Sequence, residues 1–400
     1  MRRPRIFGQG ALLVAANMLG LVLNYMHQAQ AAAWLDPPAF GRFAVWLGLV
    51  GVGSSLGLLA FFAANYFVLT RTAFRAWRLA SAAGALALLF VHLVLAPPIS
   101  SAWLAAEAVV LIAIQNATLG QFQARLSFGS MAFGAVVMFG TRALYPNLVV
   151  HPTEHTFFLA TPMGILVTLV AVALVADKSE EVVGGNDKID SSARQKMGAS
   201  LLLAVCASSF PVLDVLMVAR LAPEAVAGHF AQVSLFTRVP YFIGALLLQV
   251  TLPHHLRHAR GIGITSEWAR LGKLEGGAIV AICASAPLNA FIVPWISQRL
   301  VGADLSTVRT WIALSTLNFG ALLALFRGVQ VLCAQRIIVR PAAVLACAGA
   351  ALFATRWLCD GHPTTYLVVA LTIYSAGALS AHSWEKKSQS PVLQGTDEAS

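Results

Sequence analysis

This sequence is short of charge. Only 11% of its 400 residues are Asp, Glu, Lys or Arg, against about 25% in an ordinary soluble domain. Acidic residues are the scarcer kind, 17 against 27 Lys and Arg. Such a chain cannot cover a soluble globule with solvated groups, which excludes a water-soluble enzyme or binding domain. Cysteine is missing from the first half. The five present (Cys206, Cys283, Cys333, Cys347 and Cys359) all fall in the second half. They show no C-x-x-C spacing and four sit in apolar runs, which points to packing rather than disulfides or metal. Long polar connections are missing too. The largest one predicted to face outward, from Pro146 to Thr156, is too short to be a catalytic domain.

What the chain has instead is apolar length. It is 58% hydrophobic with a mean hydropathy of +0.74. A membrane-spanning helix needs about 20 mostly apolar residues, and twelve runs qualify as candidates. The first six lie near 9–28, 40–62, 79–96, 101–120, 126–145 and 157–176, and the second six near 199–220, 227–250, 274–297, 305–326, 338–355 and 363–382. One substantial polar segment separates the sets. The fold class expected is therefore all-α: a polytopic membrane protein of about 12 helices in two six-helix lobes related by a parallel repeat. The lobes are drawn at 1–176 and 199–384, with a cytoplasmic linker at 177–198 and a disordered cytoplasmic tail at 385–400. Arg2, Arg3 and Arg5 before an apolar run, followed by Ala29-Gln30-Ala31, resemble a cleavable signal peptide. The rival reading, an uncleaved first helix, is preferred because this helix occupies the place in the first half that 199–220 occupies in the second.

The cations test that count. With the N-terminus inside, only Arg142, Arg220, Arg299 and Arg356 fall in outer segments, while Arg42, Arg238 and Arg309 fall within helices. The other 20 of the 27 Lys and Arg residues lie in inner segments, the bias that orients helical membrane proteins. Both termini are then cytoplasmic. The same bias accounts for the net charge of +10 as attraction to anionic headgroups, and argues against a nucleic-acid partner.

The two halves share a hinge. In the second half, Arg220 to Gly228 joins two apolar runs. In the first half, Leu35 to Ala44 is a weaker copy. Gly41, Phe43 and Ala44 match Gly228, Phe230 and Ala231 at a constant offset of 187, and a proline precedes each glycine. Charges near these hinges are the candidate site. An ionisable group at mid-bilayer costs roughly 2.5–3.5 kcal/mol on insertion scales, so it faces a partner or a wet cavity. Asp214 sits about 15 residues into the seventh run, roughly 22 Å from its inner end, one turn after Pro211. It reads either as a structural ion pair or as a coupling carboxylate. Arg238, near the midplane and followed by Pro240, reads either as a cavity-lining cation or as half of a buried pair with Asp214 or Glu107. Arg42 and Arg309, near outer helix ends, either snorkel to headgroups or serve the site. Glu107 either pairs with one of those arginines or takes a proton or cation. These five, Arg238, Asp214, Arg42, Arg309 and Glu107, are the transport-site candidates. No catalytic residue or cofactor is expected.

Other patterns carry less. Gly53 and Gly57 lie four apart inside a membrane run, which suits close helix packing rather than phosphate binding. His254 and His258 have the i, i+4 spacing of metal ligands, but no cysteine or carboxylate set accompanies them. Asn116-Ala117-Thr118 is a formal glycosylation sequon buried in a helix.

The stretch from Asp214 to Ala231, closing on Leu252-Pro253, resembles the seventh and eighth helices of bacterial oligosaccharide-lipid flippases. These belong to the multidrug, oligosaccharidyl-lipid and polysaccharide exporter superfamily. Leu35 to Ala44 is similar to the start of their second helix. The resemblance implies two six-helix lobes in a V around a cavity that opens alternately to each side. It also implies transfer of a polyprenyl-diphosphate-linked oligosaccharide to the outer leaflet of the bacterial cytoplasmic membrane. Its partners would be that lipid-linked glycan, membrane lipids, glycosyltransferases and a glycan polymerase. Val215 after Asp214, where that family often has a cation, and His229-Phe230, where it tends to have tyrosine, depart from the pattern. The residues agree with an anionic cargo, because arginine's planar fork can hold a phosphate by two parallel bonds. The alternative is a cation-coupled multidrug or metabolite antiporter of the same superfamily. Against it stands a first helix with Asn17 and Asn24 where many such antiporters carry a carboxylate. A membrane-embedded glycan polymerase or ligase would need a reacting constellation on a large outer loop, and this chain lacks one.

Overall fold

A computed structural model describes residues 3–66, 69–95, 100–125, 127–174, 209–259, 265–334, 339–355 and 362–389. The expected linker at 177–198 lies outside them. The described residues are helical throughout, with no strand. That is the outcome a bilayer imposes, since a spanning segment must satisfy its own backbone groups. In chain order the helices are α1 (Arg3–Trp34), α2 (Pro37–Tyr66), α3 (Arg71–Phe90), α4 (Ser101–Ala124), α5 (Phe128–Leu144) and α6 (Glu154–Leu174). Then come α7 (209–221), α8 (Glu224–Ala259), α9 (Thr265–Ala284), α10 (Ala286–Val301), α11 (Arg309–Ala334), α12 (Val339–Ala354) and α13 (Pro363–Gln389). α13 runs five residues past Trp384, into the stretch expected to be a disordered tail.

Among the described residues six helices, α2, α3, α4, α6, α11 and α13, are long and apolar enough to cross a bilayer alone. The bent pair α9–α10 makes a seventh span. The shorter or more polar helices complete two lobes of six. The pair α9–α10 corresponds to the single run expected at 274–297. It bends by 61° at Ser285. Pro287, in the first turn of α10, lacks the N–H that would continue α9. Ser285 Oγ donates to the Ile282 carbonyl at 2.7 Å, and Asn289 Nδ2 reaches Ser285 Oγ at 3.3 Å. The break is thus lined by polar groups.

The chain separates into two compact units, Met1–Ala193 and Arg194–Ser400. In the first, α6 is central: 72% of its apolar stretch is buried, against no more than 35% for α2, α3 and α4. Its run from Thr156 to Leu166 is buried without interruption. Around it α2 lies on α4 through Gly53 and Gly57, where a Cβ would collide with Val109, Ile112 and Asn116. The glycine pair therefore does the packing expected of it. α1 approaches α5 through Gly20, under the Phe139 ring. In the second unit α11 is central, with 67% of its stretch buried. Small residues again set the approach: Gly320 faces Cys283 of α9, Gly328 faces Ala381 of α13, and Gly244 of α8 faces Leu323.

The hinges cap the helices that follow them. Asp36 Oδ1 accepts from the Ala39 N–H at 2.8 Å, an N-cap before Pro37. In the second hinge the Pro223 carbonyl accepts from the Ala227 N–H at 2.9 Å. The matched phenylalanines Phe43 and Phe230 are both fully buried. Three cations assigned to connections are instead built into the first lobe. Arg78 and Arg125 lie over the Phe74 ring, at 5.2 and 4.2 Å from its centre. Arg142, expected in an outer segment, sits in the last turn of α5 and is buried.

Candidate functional site

Asp214 and Arg238 meet in the second lobe. α7 and α8 are neighbours joined by the short hinge, and the Asp214 carboxylate bridges two successive turns of α8, at Ser234 and Arg238. On α8, Ser234, Arg238 and Tyr241 follow at i, i+4 and i+7, one face of the helix. Arg238 Nη2 donates to Asp214 Oδ1 at 3.0 Å, and Ser234 Oγ donates to Oδ2 at 3.1 Å. The Val215 N–H adds a third bond to Oδ1 at 2.8 Å. Side-chain exposures of 13% for Arg238 and 11% for Asp214 put the pair inside the protein.

The walls are aromatic. Phe210 of α7 packs on Phe326 of α11 and Tyr374 of α13. Tyr241 packs on Phe319 and Phe326. In such surroundings the attraction between the charges is much stronger than in water, and separating them without a replacement is correspondingly costly. The Asp214 carboxylate is satisfied at both oxygens. Arg238 is not: its Nε is buried without an acceptor. The pair holds one donor in reserve. Beside it lies a polar seam, with Thr237 and Ser315 at 2.8 Å and Asn289 of α10 reaching Thr316 at 3.4 Å.

The other candidates do not join them. Arg42, in the second turn of α2, grips Glu154 at the start of α6. Its Nε lies 3.0 Å from Oε1 and its Nη2 2.8 Å from Oε2. Glu107 pairs with His92 rather than with an arginine, at 2.8 Å. His92 belongs to a π turn, Val91–Leu95, that ends α3; the widened turn carries it to α4. Arg309 opens α11, is exposed, and lies over the Phe291 ring at 5.1 Å. Near it Asp304, outside the spans, is held below the usual carboxylate range by hydrogen bonds from Ser306.

A second buried ion network escaped sequence reasoning. His255 Nε2 is 2.7 Å from Glu275 Oε1, and Arg327 Nε donates to Glu275 Oε2 at 3.0 Å. It ties α8, α9 and α11 together around a carboxylate with no exposed side-chain surface. His255 therefore serves an ion pair; the side chains of His254 and His258 lie outside the described residues. The only advance signal was Glu275 itself, an acid inside an apolar run.

No known family profile matches the sequence, and no curated protein matches it. Solved structures do. An inward-facing multidrug resistance MATE family transporter of the MOP superfamily superposes with a TM-score of 0.59, over 96% of this chain and 99% of its own, at 13% identity. A substituted form of the Vibrio cholerae MATE transporter VcmN gives 0.51 over 96% of each chain at 16% identity. The eukaryotic MATE transporter AtDTX14 gives 0.52 over 96% and 99% at 12% identity. The likeness is one of fold. This is a multi-pass membrane protein with the two-lobed helical architecture of MATE transporters.

Proposed function

We propose that the chain is a cation-coupled exporter of small organic solutes, with Asp214 and Arg238 as its coupling pair. The observation that carries this reading is the incompletely satisfied ion pair inside the second lobe of a MATE-type fold. A proton or metal cation arriving at Asp214 neutralises the acceptor that holds Arg238. The guanidinium then loses its charge-assisted bond and turns to another acceptor through its free Nε. α7 and α8 are bonded differently in the two states, so the cation biases one arrangement of the lobe, as alternating access requires. Multidrug export is placed first because solved proteins of this fold are described in those words.

The test uses purified protein in liposomes with an imposed pH or sodium gradient. Gradient-driven movement of a cationic dye is expected from the wild type. Asp214→Asn, inserted at normal levels, should lose that dependence. Gradient-driven transport by Asp214→Asn at the wild-type rate would remove Asp214 from the coupling step.

A second reading, translocation of a polyprenyl-diphosphate-linked oligosaccharide, is favoured by the motif from Asp214 to Ala231 and by the arginines. Its partners would be glycosyltransferases and a glycan polymerase. Restored glycan display in cells lacking their own flippase, with no dye transport, would put this reading first. Either role fits a bacterial cytoplasmic membrane with both termini inside, supported by the cation bias. An impermeant thiol reagent applied outside should then label a cysteine placed at Thr153 and spare one at Ser191.

A further inference from the structure

The first lobe contains a cation without a counter-charge. Arg142 is 7% exposed, and its Nε and Nη2 are buried with no hydrogen-bond partner. Among the described residues it makes no ion pair. An ionisable group buried unpaired in a membrane protein is expensive and marks a functional position. Nε and Nη2 share one edge of the guanidinium, the edge that takes both oxygens of a carboxylate. Arg42 shows this use in the same lobe, on Glu154.

The surroundings of Arg142 supply more donors and no negative charge. His27 of α1 lies beside it, fully buried, with its ring against the Arg142 backbone. Thr161 of α6 is 2% exposed and its hydroxyl is bare. Phe157, Thr161 and Gly164 follow at i, i+4 and i+7 on one face of α6. His27 packs on the Phe157 ring at 5.6 Å. A Cβ at Gly164 would stand 3.4 Å from the Cβ of Arg142. Thr161 thus lies between the two points at which α6 meets His27 and Arg142.

The repeat explains what is absent. The offset of 187 that carries Gly41 to Gly228 carries His27 to Asp214. In the second lobe this position holds a carboxylate that accepts from an arginine. In the first it holds an imidazole beside an arginine, and no carboxylate among the described residues accepts from that arginine. We infer that Arg142, with His27 and Thr161, forms an anion site within the first lobe, and that it takes a carboxylate-sized oxyanion on the Nε and Nη2 edge. The site shares no residue with the coupling pair.

The experiment is thermal unfolding of the purified full chain in detergent, with acetate as the probe and ionic strength held by a bulky sulfonate salt. Wild-type Tm is expected to rise and saturate with acetate, as ligand linkage requires. Arg142→Met should show no acetate response and a Tm at or above that of the acetate-free wild type. Arg142→Lys keeps the charge but loses the fork, so its half-saturation should shift to about tenfold higher acetate. If Arg142→Met does not fold, Thr161→Val and His27→Phe should each weaken the response. Chloride, with no second oxygen, should be about tenfold less potent than acetate on the same fork argument. A flat wild-type titration, or an equal response in Arg142→Met, would overturn the site. Equal potency of chloride would overturn the oxyanion assignment.

Discussion

The two lobes share a hinge motif but handle buried charge differently. In the second lobe, Asp214 meets Arg238, and Glu275 meets both His255 and Arg327. Those pairs link α7 to α8 and α8 to α9 and α11. In the first lobe, Glu107 meets only a histidine, Arg42 and Glu154 meet at an exposed end, and Arg142 meets no carboxylate among the described residues. Charge in the second lobe therefore cross-links helices internally. In the first, Arg142 has no internal counter-charge among the described residues. The central helices differ in the same sense. α6 is buried without interruption from Thr156 to Leu166 and carries no charge there, whereas α11 brings Ser315, Thr316, Asn318 and Arg327 into its contacts. A lobe held by polar links can exchange one set for another at modest cost. A lobe held by close apolar packing moves as a piece, since packed cores are bistable rather than continuously deformable.

The largest effect should come from Glu275, the most enclosed carboxylate. Glu275→Leu strands Arg327 and His255 together, and breaking a buried pair from one side costs about 3–5 kcal/mol. Glu107→Leu strands a single partner, His92, so about 1–3 kcal/mol is expected. Thermal unfolding of the two variants in one detergent compares the lobes directly. Equal losses would mean that they do not differ in the way the ion pairs indicate.

The two buried arginines give a contrast of sign. Arg238→Ala leaves Asp214 buried with only Ser234 and a backbone N–H, and should lower stability by about 3 kcal/mol. Adding Asp214→Asn should recover most of that loss. Arg142→Met removes a charge with no internal partner and should be neutral or stabilising in anion-free buffer. Loss on both substitutions, of similar size, would erase the distinction between the lobes.

Much of this fold was legible because bilayer physics writes it coarsely. Apolar runs located the helices, with some ends off by eight or nine residues at α3, α8, α9 and α11. The Asp214–Arg238 pair was among the readings weighed because both residues lie on consecutive runs joined by a short hinge. Other pairings had no such local mark. Arg42 and Glu154 are 112 residues apart, and nothing in either helix names the other. His92 reaches Glu107 only through a π turn, which apolar periodicity does not reveal. The break at Ser285 was hidden because a hydropathy average runs smoothly across it, although Pro287 stood beside it. Arg142 was assigned outside because a cation near a helix end ordinarily reaches the headgroups. What keeps it in is packing on α6 at Gly164, a tertiary fact.

The smallest expected effect belongs to Arg42, and it separates two uses of a cation at an exposed end of the first lobe. Had Arg42 served the cargo, its loss would abolish transport and leave stability alone. The structure ties it instead to Glu154 with both oxygens engaged, while 48% of its side chain remains exposed. Exposed pairs contribute about 0.2–1 kcal/mol and weaken with salt. Arg42→Gln should therefore lower stability by less than about 1 kcal/mol, with the difference shrinking as salt is added, and leave transport near the wild-type rate. The exchange Arg42→Glu with Glu154→Arg should recover the lost stability, since the charges are only swapped across the same gap. Loss of transport in Arg42→Gln, unrecovered by the exchange, would return Arg42 to the transport site. It would also show that the first lobe handles charge at this exposed end as well as at Arg142.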